Sequence, residues 1–373
     1  MINDFIGNNL EEYLKTPRVV YCGFDPTASG LHIGNFLQIM ALAKFQREGH
    51  KPIVLVGGGT GMIGDPSGRS KERNLLEQEK IRENSEGIKS ELSRYLSFEE
   101  GLPNGAKMVN NFDWYKDYNI LEFIRDVGKY FRVSNMLSKE SVRSRMSSNE
   151  GISFTEFTYQ IFQAYDFYHL WKTEGCTLQI GGSDQLGNIL AGCELVRKIQ
   201  NEESDKEIVF GITLPLVTNE NGEKLGKSAG NAVWLDEEKT SNFQLYQYFF
   251  RTSDSMVEKY LHFFTFLTLD QIENVMKKHR ESPEDHHAQK ILSEEVTKFL
   301  RGEDSLKKAN LCTQFLYGNL KFSQIDANDI PILYSDVPNI QIEKLEGKKI
   351  LDVLSQTPLV SSKGFHFFFF LKK

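Results

Sequence analysis

The clearest candidate for chemistry is the tetrapeptide HIGN at residues 32–35. It follows an apolar strand predicted at residues 19–21 and a turn rich in glycine and proline, and a helix is predicted to begin near Leu31. His32 and Asn35 lie three residues apart, so they share one face of the first helical turn. Because the N-terminus of a helix attracts negative charge, the stretch predicts an anion site. The alternative is a histidine that only caps and packs the helix.

A second candidate is the polar stripe of Tyr159, Gln163 and Asp166 on an otherwise apolar helix. Residues 153–156 form a capping-box pattern that starts this helix. The helical spacing places the three polar side chains on one face. A buried polar stripe costs free energy unless it has partners, so a ligand pocket is expected. A solvent-exposed polar edge is the alternative.

Two apolar runs end in glycine-rich turns, at residues 57–61 and 181–182. Asp65 follows the first turn, and Asp184 and Gln185 follow the second. In open α/β sheets, ligands bind at the carboxyl ends of the strands, so the two turns predict one pocket there. A basic loop at residues 224–228 is less informative, because surface lysines usually contribute little beyond solubility.

The elements that position these residues alternate between strand and helix. Strands are predicted at residues 19–21, 53–56, 107–109, 177–180 and 211–217. This alternation predicts an α/β fold with a parallel sheet and right-handed crossovers. Residues 120–136 are predicted to be helical, with an apolar stripe that belongs to the core or to a subunit interface. From Ser241 onward the pattern is helical, so a domain boundary is expected near residues 235–241.

Composition narrows the class of protein. The chain has 373 residues and a formal net charge of −7, so more than one domain is expected and any RNA contact needs local basic patches. No apolar run approaches the roughly 20 residues that a membrane span needs. The cysteines lack C-x-x-C spacing, which disfavours a zinc site and is typical of free thiols in a reducing compartment. They are Cys22, Cys176, Cys193 and Cys312.

Six stretches together resemble the bacterial-type tyrosyl-tRNA synthetases, most closely their mitochondrial branch. They are YCGFDPT, HIGN, GMIGDPSGR, FTYQIFQAYDF, QIGGSDQLGNI and KLGKSAGNAVWL, in the order of the family. HIGN corresponds to the family's HIGH signature and KLGKS to its KMSKS loop. The resemblance implies a class I fold, with a Rossmann-like catalytic domain at residues 1–235 and an α-helical anticodon-binding domain at 236–325. It further implies an insertion at about 110–150 in a dimer interface, and a linker with an incomplete S4-like RNA-binding segment at 326–373.

The resemblance also implies roles for individual residues. Tyr21 and Asp166 would read the phenol of the substrate tyrosine, and Asp65, Tyr159 and Gln163 would hold its α-ammonium group. The full tyrosine site would be Tyr21, Asp65, Tyr159, Gln163, Asp166, Gln179 and Gln185. The ATP and adenylate site would be Cys22, Gly23, Asp25, His32, Gly34, Gly182, Asp184 and Lys227, with Cys22 and Asp184 at the ribose. The catalytic residues would be His32, Asn35, Arg73, Lys224, Lys227 and Ser228.

The implied reaction is attack of the tyrosine carboxylate on the α-phosphorus of ATP, followed by transfer of tyrosine to tRNA(Tyr). The carboxylate is already ionised, so positioning and charge stabilisation would suffice without a general base. Mg²⁺ would be carried by ATP and pyrophosphate, and no organic cofactor is expected. The partners would be tRNA(Tyr), L-tyrosine and ATP in a homodimer away from membranes. The location would be the mitochondrial matrix, with the cytoplasm as the alternative.

The sequence departs from the family pattern in four places. Asn35 stands where HIGH has its second histidine, and Arg69 replaces a lysine common in bacterial members. No presequence is visible, and the phenylalanine-rich residues 365–371 resemble no part of an S4-like domain. A truncated or mis-spliced product with weakened tRNA affinity is therefore expected. A tryptophanyl-tRNA synthetase and a non-catalytic RNA-binding protein on the same scaffold are the alternative functions.

Overall fold

The computed structural model describes most of the chain up to residue 336. The described residues are 2–7, 9–69, 76–148, 150–200, 209–218, 220, 222, 225, 232–318, 320, 324–327, 330–336 and 347. Two compact units are present, Met1–Leu306 and Lys307–Lys373. The predicted S4-like segment at 326–373 lies mostly outside the described residues.

The described strands form a six-stranded sheet in the first unit. They are β1 (Asp4–Ile6), β2 (Val19–Phe24), β3 (Lys51–Val56), β4 (Lys107–Asn110), β5 (Cys176–Gly182) and β6 (Phe210–Leu214). Their order is β1-β6-β5-β2-β3-β4. All neighbours are parallel except β1, which pairs antiparallel with β6.

Helices connect these strands and then continue alone. They are α1 (Leu10–Tyr13), α2 (Ile33–Arg47), α3 (Gln78–Leu92), α4 (Phe112–Tyr115), α5 (Ile120–Asp126), α6 (Val133–Ser138), α7 (Glu140–Met146), α8 (Phe154–Glu174), α9 (Leu186–Gln200), α10 (Asn242–Phe250), α11 (Asp254–Phe264), α12 (Leu269–Glu281), α13 (His287–Tyr317) and α14 (Ile330–Asp336). No helix in the described part of the chain is long and apolar enough to cross a bilayer.

The topology of the sheet places a crevice between β2 and β5. These strands are parallel neighbours, with Tyr21 beside Gln179. The chain leaves β2 toward β3 on one side of the sheet, whereas it leaves β5 toward β6 on the other. Such a reversal opens a crevice outside the carboxyl ends of the two strands, where ligands of α/β proteins bind. All of β5 and most of β2 are buried, as expected for a parallel sheet covered on both faces.

All five predicted strands are present, although the last ends at Leu214 rather than at residue 217. The edge strand β1 was not predicted, because its three residues are too few to show an alternation of polar and apolar side chains. The predicted helix at 120–136 was wrong as one element. It ends at Asp126 and is followed by a 3-10 turn at Gly128–Tyr130 and by extended residues before α6. Gly128 interrupts the pattern because glycine disfavours a helical interior.

The later helices share a core with the sheet. Phe36 of α2 stacks on Phe264 of α11 with ring centroids 4.9 Å apart and meets Phe249 of α10 edge to face at 6.4 Å. Ser241 and Thr268 cap α10 and α12 in capping boxes. Helical and sheet residues therefore pack into one core on both sides of the predicted boundary near residue 235.

Candidate active site

A cleft of about 260 Å³ opens at the carboxyl ends of β2 and β5. Side chains and backbone from nearly every predicted motif line it. The predicted residues in its lining are Tyr21, Gly23, Asp25, His32, Gly34, Asn35, Asp65, Tyr159, Gln163, Asp166, Gln179, Gly182, Asp184 and Gln185. The strands and helices thus bring together residues that lie more than 160 positions apart in the sequence.

One predicted residue, Cys22, is absent from the described lining of the cleft, and four others lie outside the described residues. Cys22 is buried in the core beside the site, and burial raises the pKa of its thiol to about 12. Its alternation with Tyr21 along β2 turns it to the other face of the sheet, so its predicted contact with the ribose has no support from the lining. The others lie outside the described residues: Arg73, Lys224, Lys227 and Ser228.

The carboxylate of Asp166 is held by three donors at the buried end of the cleft. Asn111 Nδ2 donates to Oδ2 at 3.0 Å. Trp114 Nε1 and the Tyr115 hydroxyl donate to Oδ1 at 3.0 and 2.8 Å. Since each carboxylate oxygen can accept two hydrogen bonds, Oδ1 is filled and Oδ2 can accept one more. A neutral donor such as a phenol suits that position.

The same burial changes the ionisation of Asp166, which is only 2% exposed. Removal from water raises the pKa of this carboxyl to about 7, although the hydrogen bonds from Asn111, Tyr115 and Trp114 favour the ionised form. Asp25 adds a smaller repulsion that also raises it. Asp166 therefore changes charge near neutral pH.

Tyr21 lies on the same side of the cleft as Asp166. Its hydroxyl accepts a hydrogen bond from Gln179 Nε2, which leaves its own proton to donate elsewhere. Burial and then the negative charge of Asp166 raise the pKa of Tyr21 well above its usual value, so the hydroxyl stays protonated. Tyr21 and Asp166 thus offer a donor and an acceptor, the pair that recognises a hydroxyl group.

Two further carboxylates are fixed at the middle of the cleft. Asp25 accepts hydrogen bonds from the hydroxyls of Tyr159 and Thr60, both at 2.8 Å. Asp65 accepts from Gln185 Nε2 at 2.7 Å and from the backbone N–H of Ser67 at 2.9 Å. These bonds hold each carboxylate in one orientation.

The remaining polar groups make the cleft suitable for a cation. Gln163 Oε1 is buried and has no hydrogen-bond partner within the described structure. Carboxylates outnumber basic side chains in the described lining, which contains Asp25, Asp65, Asp166, Asp184, His32 and Arg69. An ammonium group would satisfy the orphaned oxygen and offset the excess negative charge.

The HIGN segment begins α2 with a capping box. His32 Nδ1 accepts from the backbone N–H of Gly34 at 3.0 Å, and Asn35 Oδ1 accepts from the backbone N–H of His32 at 3.2 Å. Because Nδ1 is an acceptor, a neutral His32 carries its proton on Nε2. A side chain at Gly34 would lie 2.7 Å from the ring of His32, so the glycine makes room for this ring.

Several residues that complete the site were not predicted. Asn111 follows directly on β4, so the rule that sites lie at strand ends could have identified it. Trp114 and Tyr115 lie in the short α4, which has no sequence signal for chemistry. Asn188 reaches Asp65 and Ser67 at 3.4 and 3.3 Å, and its role depends on the packing of α9.

The chain matches the model of a known family of enzymes. Residues 14–318 match the family described as tRNA synthetases class I (W and Y). This match covers strands β2 to β6, the cleft and helices α2 to α13. The molecule therefore has the fold of a class I tRNA synthetase for tryptophan or tyrosine.

Similar proteins distinguish between the two amino acids. The chain is 48% identical to tyrosine–tRNA ligase 1 of Bacillus subtilis over 92% of this chain and 80% of that protein. It is 47% identical to the mitochondrial tyrosine–tRNA ligase of Drosophila melanogaster over 91% and 75% of the two chains. A C-terminally truncated mitochondrial tyrosyl-tRNA synthetase of Aspergillus nidulans superposes with a TM-score of 0.75 at 33% identity, over 85% of this chain and 91% of that one.

The chain belongs to the tyrosyl-tRNA synthetase family, the class I tyrosine–tRNA ligases. The family prediction is confirmed, and the relatives favour tyrosine over tryptophan. The bacterial and mitochondrial relatives are equally similar, so they do not separate the two branches.

Proposed function

We propose that this chain activates L-tyrosine with ATP in the cleft, releases pyrophosphate and transfers the tyrosyl group to the 3′ end of tRNA(Tyr). The observation that carries the proposal is the buried Asp166 carboxylate, held by three donors beside the Tyr21 hydroxyl. An acceptor and a donor at the closed end of a cleft fit the phenol of tyrosine.

The substrate tyrosine would lie between two groups of residues. Its phenol would donate to Asp166 and accept from Tyr21, whose orientation depends on Gln179. Its α-ammonium group would lie among Asp65, Tyr159 and Gln163, with Gln185 holding Asp65 in place. The orphaned Gln163 Oε1 would gain a partner when the ammonium group binds.

The nucleotide would occupy the part of the cleft nearest α2. Gly23, Asp25, Gly34, Gly182 and Asp184 would line the adenylate, with Asp184 at the ribose. His32 and Asn35 lie at the start of α2, where the backbone N–H groups and the helix dipole favour the α-phosphate.

Attack needs no enzyme nucleophile, because the tyrosine carboxylate is itself the nucleophile. Its oxygen forms a bond to the α-phosphorus while the bond to the leaving pyrophosphate breaks. His32 would donate to the developing negative charge. Arg73, Lys224, Lys227 and Ser228 would contact the leaving phosphates, a proposal that rests on the sequence. Mg²⁺ would enter with ATP, because the triphosphate binds the ion itself.

The proposal is tested by pyrophosphate exchange into ATP, with tyrosine, phenylalanine or tryptophan in separate reactions. We expect exchange with tyrosine and little with the other two amino acids. Exchange driven by tryptophan would mean that the assignment of tyrosine as the substrate is wrong. A folded chain without any exchange would favour a non-catalytic RNA-binding protein.

The ionisation of Asp166 predicts a pH dependence for tyrosine binding. Its pKa near 7 means that the acceptor is protonated in the free enzyme at low pH. We therefore expect kcat/KM for tyrosine to rise as the pH increases through about 7. The measurement is the rate of tyrosyl-adenylate formation at low tyrosine between acidic and mildly alkaline pH. A profile identical in the Asp166→Asn variant would contradict the assignment.

The assembly is proposed as a homodimer through residues 120–136. Large apolar side chains are exposed there, namely Ile120, Leu121, Ile124 and Val133.

We keep the domain limits predicted from the sequence, with tRNA(Tyr) contacting the helical domain at 236–325 and the segment at 326–373. The mitochondrial matrix is the proposed location, with the cytoplasm as the alternative.

A further inference from the structure

A short segment at residues 233–240, which follows the basic loop of residues 224–228, holds the backbone at His32. We call this segment the strap. The backbone N–H of Ile33 donates to the carbonyl of Val233 at 2.9 Å, and the N–H of Leu235 donates to the carbonyl of Leu31 at 2.9 Å. These bonds form an antiparallel bridge between His32 and Trp234. The start of α2 is therefore attached to the strap on both sides of His32.

The strap is in turn held by one side chain from α13. The guanidinium of Arg301 donates to three successive backbone carbonyls, those of Trp234, Leu235 and Asp236, at 3.2, 3.3 and 3.2 Å. It also donates to Asn242 Oδ1 at 3.2 Å. A planar fork of five N–H groups can gather such a set, whereas an ammonium group cannot.

Arg301 itself is placed by the local geometry of α13. The next residue, Gly302, has φ 83° and interrupts the helix, a conformation that strains other residues. Arg301 therefore lies in the last helical turn before the interruption. On the far side of the bridge, Glu91 accepts from the backbone N–H of Leu31 at 3.0 Å, and Lys239 Nζ donates to the carbonyl of Ser29 at 2.8 Å. The segment before His32 is thus held by Glu91 of α3 and by Lys239 of the strap itself, whereas Arg301 is the described side chain that gathers the strap carbonyls.

We infer that Arg301 is a positioning residue for tyrosine activation, acting through the strap on His32. The inference rests on the proposed function and adds to its mechanism a residue that is not part of the described cleft lining. A small displacement of a group that stabilises the transition state lowers the rate without weakening the binding of a substrate held elsewhere. The tyrosine site around Asp166 makes no contact with the strap among the described hydrogen bonds, so tyrosine binding should not change.

The test compares Arg301→Ala with Arg280→Ala, an exposed arginine that pairs with Glu258 and does not contact the strap. We expect Arg301→Ala to lower kcat for pyrophosphate exchange by roughly 10- to 100-fold with KM for tyrosine unchanged. Arg280→Ala should match the wild type. Arg301→Lys should restore part of the loss, because an ammonium group keeps the charge and reaches fewer carbonyls.

A double-mutant cycle separates positioning from general destabilisation. In a His32→Asn background, Arg301→Ala should lower kcat by no more than about threefold, because its effect passes through the missing imidazole. The same loss in both backgrounds would overturn the inference, as would an unchanged kcat in Arg301→Ala. If Arg301→Ala does not fold, the cycle is run with Arg301→Lys and is judged by the same two outcomes. Absence of exchange in the wild type would instead overturn the proposed function.

Discussion

Replacement of Asp166 by asparagine is expected to lower the preference for tyrosine over phenylalanine roughly 10- to 100-fold. The substrate phenol would lose a charged acceptor, and a buried hydrogen bond to a charged group contributes about 1.5–3 kcal/mol. We therefore expect kcat/KM for tyrosine to fall roughly 10- to 100-fold, with little change for phenylalanine. The ratio of the two values, measured by pyrophosphate exchange, is the quantity to compare.

The matched control is Asp113→Asn in α4, one residue before Trp114. Asp113 is exposed and pairs with Lys116 at 3.7 Å, so its replacement should leave both kcat/KM values unchanged. Asp166→Asn also places an amide N–H₂, itself a donor, among three groups that donate hydrogen bonds to residue 166, which can lower the stability of the variant. Its thermal unfolding should therefore be recorded beside the kinetics. A fully stable variant that retains the wild-type preference would contradict the role of Asp166.

Replacement of His32 by asparagine is expected to lower the rate of the chemical step while the helix remains intact. Asparagine is a good N-cap residue, so the bond to the backbone N–H of Gly34 can be replaced. The donor from the imidazole Nε2 is lost, and removal of one transition-state donor typically costs about 10²- to 10³-fold in kcat. Single-turnover formation of tyrosyl-adenylate at saturating tyrosine measures this loss directly.

His286→Asn provides the control for this change. His286 is exposed and has φ 50°, a conformation that asparagine tolerates, so this variant should be as stable and as active as the wild type. A His32→Asn variant with wild-type kcat would restrict His32 to its structural role as a cap. A parallel rise in KM for tyrosine would place His32 in substrate binding instead.

The sequence by itself determined the type of sheet, the place of the cleft and about half of its lining, including most of the polar side chains. Continuous apolar runs such as residues 53–56 predict buried parallel strands, and their carboxyl ends must meet at one edge. Helical spacing was sufficient to place Tyr159, Gln163 and Asp166 on one face. These features depend on neighbours along the chain, which the sequence records directly.

Only the tertiary structure decided how the polar groups are paired. Asn111, Trp114 and Tyr115 approach Asp166 across 51 to 55 residues of sequence, and their hydrogen bonds set its orientation and its ionisation. Cys22, by contrast, faces the core although it adjoins Tyr21. Such contacts form between elements that are far apart in the sequence, so local sequence patterns cannot predict them.

The same distinction explains the start of α2. HIGN predicted a helix N-terminus with a histidine, but the capping box between His32 and Asn35 and the space that Gly34 leaves for the imidazole depend on backbone geometry. The contact between the strap and Arg301 is even harder to predict from the sequence. It joins residues 31–33 to residue 301 through backbone carbonyl groups, which every amino acid carries. The sequence determined which residues can do the chemistry, and the packing of distant elements decided how each one is held.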